Sequence, residues 1–281
     1  MRFAYSTLAC PDRRLESALE LGTLAGYEGV ELRLVDGELI DPAMSEQARR
    51  RVAASCRNAG LPVVAVDSSI RIASAADPDA TLAELDAFLQ LAADWDAPVV
   101  RVFGGKLPQE AGARRACLQG AAGLLERACG RAGQLGVRIG VETHDEFSAS
   151  AAVAELLALV PSPWVGAVWD SHHPCRAGES AAQVYGAIGS RLCLAQVKDA
   201  VRASAEPGGW RLVPLGAGEV PVREMLGLLA AGGYGGWVSV EWEKHWHPEI
   251  EEPEVALPQH LRLLRDWEAE LERADEIAEG R

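Results

Sequence analysis

Short runs of β-branched and other apolar residues recur along the chain, each followed by a longer stretch whose apolar positions fall at helical spacing. The runs are RFAYS (2–6), EGVELRL (28–34), LPVVAVD (61–67), PVVRVFGG (98–105), VRIGVETH (137–144), VGAVWDSH (165–172), LCLAQVKD (192–199) and GWVSVEWE (236–243). Their apolar residues are nearly continuous, the pattern of strands buried on both faces. Helix starts are marked by Pro11-Asp12, Asp77-Pro78 and Pro221, and helix ends by Gly26, Gly60, Gly136 and Gly232-Gly233, where a left-handed cap is least strained for glycine. Eight evenly spaced strand–helix units predict a single α/β domain over 1–281, a (β/α)₈ TIM barrel. Val197 to Pro221 is too long for a plain connection and predicts a hairpin insertion near 199–220, above the seventh strand. The stretch from Leu261 to Arg281 predicts the eighth helix followed by a charged tail. A doubly wound open sheet is the rival, but no Gly-x-Gly-x-x-Gly follows the first strand and no break in composition divides the chain.

Composition narrows the function classes. A chain of 281 residues, 48% apolar, can fill one barrel core. No apolar run approaches the roughly 20 residues of a membrane span, and MRFAYSTLACPDRR lacks the basic-then-apolar order of a signal peptide, so a cytoplasmic protein without membrane partners is expected. The six cysteines form no CxxC pair and stand in apolar context, which argues against a disulfide framework. A net charge of −14 opposes binding to a phosphate backbone, so no nucleic acid is expected as partner. Self-association into a homo-oligomer is left open.

In a parallel barrel the chemistry gathers where strands end. The fifth strand ends in Glu142-Thr143-His144, the sixth in Asp170-Ser171-His172-His173, the seventh in Gln196-Val197-Lys198-Asp199 and the eighth in Glu241-Trp242-Glu243. Four consecutive strands thus deliver polar groups to one rim. Carboxylates set directly after apolar strand residues repel one another and lose hydration unless a cation neutralises them, and Glu142, Asp170 and Glu241 are therefore expected to hold one divalent metal ion. Singly, each acid could equally be a helix cap or a loop charge, Asp170 and Asp199 above all.

The eight-unit layout, the strand-end quartet, the Asp170-Ser171-His172-His173 spacing and the phrase SVEWEKHWHPEIEEP (239–253) resemble the xylose-isomerase-like barrels of the sugar phosphate isomerase/epimerase group, with D-tagatose 3-epimerase-like and inosose isomerase or dehydratase members. The resemblance covers essentially the whole chain. It implies a metal held by a glutamate, an aspartate, a histidine and a glutamate from strands five to eight. Glu142, Asp170 and Glu241 stand at three of those positions, and Gln196 stands where the family has histidine. His173 matches a histidine that contacts substrate oxygen. A glutamine at this position is also similar to the related 3-dehydroshikimate dehydratases. With Gln196 bound through its carbonyl the shell is all oxygen, which favours Mn²⁺, with Mg²⁺ or Co²⁺ as alternatives, over Zn²⁺.

Such a site suits an isomerase or epimerase of a small polyhydroxy ketone, a keto-sugar or keto-cyclitol, with Glu142 and Glu241 moving a proton next to a polarised carbonyl. A lyase of the inosose or 3-dehydroshikimate dehydratase type begins with the same proton and is the alternative; a non-catalytic sugar-binding barrel is a third reading. An endonuclease would need more than six histidines and a basic face. Lys198, sharing Gln196's parity, Arg33, Arg101, His144 and Trp246 are candidate substrate-binding residues, each with a structural alternative: a surface lysine, ion pairs, core hydrogen bonding, a loop anchor. Arg33 and Arg101 could hold a substrate carboxylate or phosphate, with Arg71 and Lys106 as weaker loop candidates for the same role, and Trp242 and His247 are candidates, with Trp246, for the pocket wall.

Overall fold

A computed structural model describes residues 1–279 of the chain. Its eight parallel strands are β1 (Arg2–Ser6), β2 (Gly29–Leu32), β3 (Val63–Arg71), β4 (Val99–Phe103), β5 (Arg138–Glu142), β6 (Val165–Asp170), β7 (Leu192–Val197) and β8 (Trp237–Val240). They pair in chain order, and β1 closes the ring on β8, with Tyr5 opposite Val240. The helices outside the ring are α1 (Leu15–Ala25), α2 (Glu46–Ala59), α3 (Pro78–Asp94), α4 (Ala111–Leu135), α5 (Ser150–Leu159), α6 (Ala181–Ile188), α7 (Val222–Ala231) and α8 (Pro253–Glu279). The fold is the (β/α)₈ barrel that the alternating pattern predicts.

Local signals fix the helix ends. Asp77 accepts from the amides of Asp79 and Ala80 ahead of α3, Glu110 does the same for α4, and Ser180 with Gln183 forms a capping box at α6. Gly26, Gly60 and Gly136 take left-handed conformations after α1, α2 and α4. Gly232 does not: its φ is −85°, and the left-handed turn falls on Gly233. A Cβ at Gly232 would lie 1.6 Å from the Tyr185 hydroxyl, so a larger residue there would require that side chain to shift.

Two apolar clusters form the core. The larger packs helices against the outside of the barrel; the smaller, Ala4, Val64, Ala65, Val99, Val168 and Leu194, is made of strand residues and fills the barrel interior. After β7, Asp199–Arg202 pairs antiparallel with Trp210–Val213. Asp199 anchors this excursion by accepting from the backbone N–H groups of Ala200, Gly216, Gly218 and Val220 at 2.9–3.1 Å. Its role is structural, the reading the sequence left open. The six cysteines are free thiols, and among the described residues no helix is long and apolar enough to cross a membrane. The last two residues of the expected charged tail, 280 and 281, lie outside the described residues.

Candidate metal centre and pocket

The strand-end acids converge. Glu142 closes β5 opposite Phe103 of β4, Asp170 closes β6 opposite Gln196 of β7, and Glu241 directly follows β8. One oxygen from each of Glu142, Asp170 and Glu241 lies within 4.8 Å of the others, and all three residues are buried. Burial pushes the carboxyls of Glu142 and Glu241 above their ordinary pKa. Burial acts the same way on Asp170, but the Lys198 ammonium beside it holds this carboxyl well below the usual range. Asp170 also accepts from the backbone N–H groups of His172 and His173 at 2.8 and 3.0 Å, so it caps the one-turn helix His172–Arg176 while facing the cluster. Both readings of Asp170, cap and cluster member, hold at once.

Two buried cations are built into the cluster. The Lys198 ammonium lies 2.9 Å from Asp170 Oδ2 and 2.5 Å from Glu241 Oε2, and it also pairs with Glu243. Burial works against its charge, but these acids override burial and raise its pKa. Lys198 is thus neither a surface lysine nor on the cavity wall. Arg101 sits with Nε 2.9 Å from Glu142 Oε2 and Nη2 3.4 Å from Asp67 Oδ2, and its Nη1 donates to the Ser68 carbonyl at 2.8 Å. Arg101 and Asp67 are 1% and 0% exposed, so this ion pair is buried at the floor of the site.

Gln196 is wholly buried, and its Nε2 donates to Glu31 Oε1 at 2.7 Å across the barrel. Its Oε1 has no hydrogen-bond partner among the described residues, nor do Glu142 Oε2 and Asp170 Oδ2 meet hydrogen-bond geometry. Burial, reinforced by Asp67 and Glu241, pushes the Glu31 carboxyl well above its ordinary pKa. Beside the acids, His144 and His173 contact edge to face at 4.3 Å, and with Glu142 they make a second group whose ligand atoms fall within 4.8 Å. Burial lowers the His173 pKa well below the ordinary histidine value and brings His172 down to about 4, so both rings are neutral at physiological pH.

A cavity of about 330 Å³ opens above these groups. Arg33, Arg71, Arg101 and Ser69 line one side, Glu142, Glu241 and Glu243 another, and Leu8, Leu39, Phe103, His144 and the half-exposed Trp246 complete the wall. Trp242 is not part of that wall: it points outward, packs on His260 of α8 at 4.9 Å and donates its Nε1 to the Glu251 carbonyl. His247 is partly exposed and pairs with Glu249 and, at 3.7 Å, with Glu243, and Lys106 is exposed away from the cavity. Sequence reasoning missed Asp67, Ser69 and Glu243. Asp67 ends an apolar strand run and Glu243 shares Glu241's parity, so the signal that selected Glu142 was present at both.

Residues 20–267 match the xylose isomerase-like TIM barrel family. No curated protein sequence matches. Among solved structures, the probable 3-DHS dehydratase AsbF involved in petrobactin synthesis from Bacillus anthracis is similar, with 18% identity, a TM-score of 0.77 and coverage of 94% of this chain and 99% of that one. A D-tagatose 3-epimerase-like protein superposes with a TM-score of 0.77 at 18% identity over 98% of this chain and 99% of its own. The IolI protein, solved with a bound zinc atom, gives 0.79 at 17% over 95% and 98%. At these identities the likeness establishes the fold.

Proposed function

The chain belongs to the xylose isomerase-like TIM barrel family, and on that premise we propose that it is a divalent-metal-dependent isomerase or epimerase of a small polyhydroxy ketone. The observation that carries the reading is the buried group of Glu142, Asp170 and Glu241, with one oxygen of each within 4.8 Å of the others. Buried carboxylates this close repel one another and draw in cations. Lys198 and Arg101 supply two, and the Gln196 Oε1, which has no hydrogen-bond partner among the described residues, leaves donor capacity for one more. Because Glu31 takes the Gln196 amide nitrogen, Oε1 is the atom Gln196 offers, and the donor set is oxygen only. That favours Mn²⁺, or Mg²⁺ or Co²⁺ in its place. Bound there, the ion would supply positive charge that polarises a ketone and acidifies the neighbouring C–H.

The chain's own residues do the rest. Glu142 and Glu241, carried by strands three steps apart in the ring, flank the cavity and can remove and return a proton from different sides, as epimerisation requires. Without an ion, burial raises the proton affinity of both carboxyls. Arg101 orients Glu142, and Lys198 balances the charge on Asp170 and Glu241. His173, neutral and beside His144, can hydrogen-bond a substrate hydroxyl. In heavy water the Mn²⁺-loaded protein should exchange a C–H proton of its hydroxyketone substrate for deuterium, read by NMR. A new ultraviolet enone band would redirect the assignment to the lyase, and absence of exchange across a panel of ketoses and keto-cyclitols would leave a sugar-binding barrel.

A further inference from the structure

The cavity is polarised. Its acids, Glu142, Glu241 and Glu243, come from the β5 and β8 ends, and its guanidinium groups, Arg33, Arg71 and Arg101, from β2 to β4. Two of the three cations are locally neutralised, Arg101 by Glu142 and Asp67, Arg71 by Asp145 at 3.3 Å. Arg33 differs. It is 6% exposed, its Nη1 donates to the Asp67 backbone carbonyl at 3.0 Å, and its Nη2 donates to the Ser69 hydroxyl at 2.9 Å. Neither acceptor is charged, and among the described residues no carboxylate oxygen lies within 4.0 Å of its guanidinium. A buried cation without a counter-ion is costly, and only two of the five donors of this fork are used.

We infer that Arg33 receives a carboxylate of the substrate, so that the pocket takes a hydroxylated keto acid in preference to a neutral sugar. Resting on the cavity's being the substrate pocket of the proposed function, this deepens that reading by naming a substrate class. The planar fork, held by two uncharged acceptors, matches a carboxylate in charge and shape. One unneutralised guanidinium fits one negative charge better than a phosphomonoester, which carries up to about two and would face three acids across the cavity. A cavity of about 330 Å³ admits a six-membered ring or a short chain. Because β2 lies opposite β6 in the closed ring, a molecule anchored on Arg33 extends its far end toward Asp170.

Shikimate and its methyl ester have the same ring and hydroxyls and differ by one charge, so titration calorimetry of the full chain with each isolates the carboxylate. Wild type should bind the acid at least about tenfold more tightly than the ester, and Arg33→Met should remove that preference while leaving ester binding in place. Arg33→Lys, which keeps the charge but loses the fork, should retain part of the preference and serves if the methionine variant fails to fold. Equal binding of acid and ester, binding of neither at millimolar concentration, a preference that survives both substitutions, or inorganic phosphate competing better than the acid would each overturn the assignment. Repeating the titrations with and without Mn²⁺ separates the two readings. An Arg33-dependent preference without any Mn²⁺ binding rejects the metal, and Mn²⁺ binding with no preference rejects the carboxylate.

Discussion

The two ends of the barrel interior are built from the same strands and obey opposite rules. Ala4, Ala65, Val99, Val168 and Leu194 fill the lower interior with aliphatic groups. Two residues further along the same strands stand Ser6, Asp67, Arg101, Asp170 and Gln196, all buried and all polar. Strand alternation puts both sets on the same face, and a step of roughly 7 Å separates them. Below, dispersion and exclusion of water suffice. Above, every acid needs a cation or donor within reach, so the layer holds together only as a network: Lys198 with Asp170, Glu241 and Glu243, Arg101 with Glu142 and Asp67, Gln196 with Glu31. Filling is a property of each residue, but charge balance is a property of the set.

The hardest test of that contrast is chemical. Glu142→Gln and Glu241→Gln keep a carbonyl oxygen but lose the base, so turnover should fall by about 10²-fold or more at saturating Mn²⁺. Asp170→Asn should recover part of its loss as Mn²⁺ is raised. Near wild-type rates in both glutamine variants would move the base to His173 or His144. Next in size, Lys198→Met strips the ammonium from three acids and should cost about 3–5 kcal/mol in urea unfolding, part of it returned by Mn²⁺. In the lower layer, Leu194→Ala should cost about 2–5 kcal/mol by opening a cavity, with Mn²⁺ affinity unchanged. A matching change in affinity would show that the layers are not separable.

The smallest effect applies the upper layer's rule to a polar group lacking a network. His260 is buried against Trp242, neither ring nitrogen has a hydrogen-bond partner among the described residues, and burial lowers its pKa from 6.5 to about 3. Below about pH 6.5 the unfolded chain binds a proton that the native state refuses, so stability falls toward pH 3 by up to about 1.4 kcal/mol per unit. His260→Leu should flatten that limb in pH-dependent denaturation. An unchanged slope would mean that His260 is protonated in the native state.

The sequence by itself determined the barrel and which strand ends carry Glu142, Asp170 and Glu241, because strand periodicity, helix caps and the C-terminal position of an acid after an apolar run are written within a few residues of one another. Parity also held information that went unused: Trp242 follows Glu241 and so faces outward onto α8, while Glu243 returns to the Lys198 side. Only the tertiary structure decided the partners. Gln196 and Glu31 are separated by 165 residues and meet because closing the ring brings β2 and β7 within reach across the interior. The same closure spends Arg101 on Glu142 and Asp67 and leaves Arg33, two strands earlier and bonded to Asp67's backbone carbonyl but not to its carboxylate, facing the cavity without a counter-ion. Hydrophobic pattern fixes where a residue points; which charge meets which depends on distances across the barrel, and these exist only once it has closed.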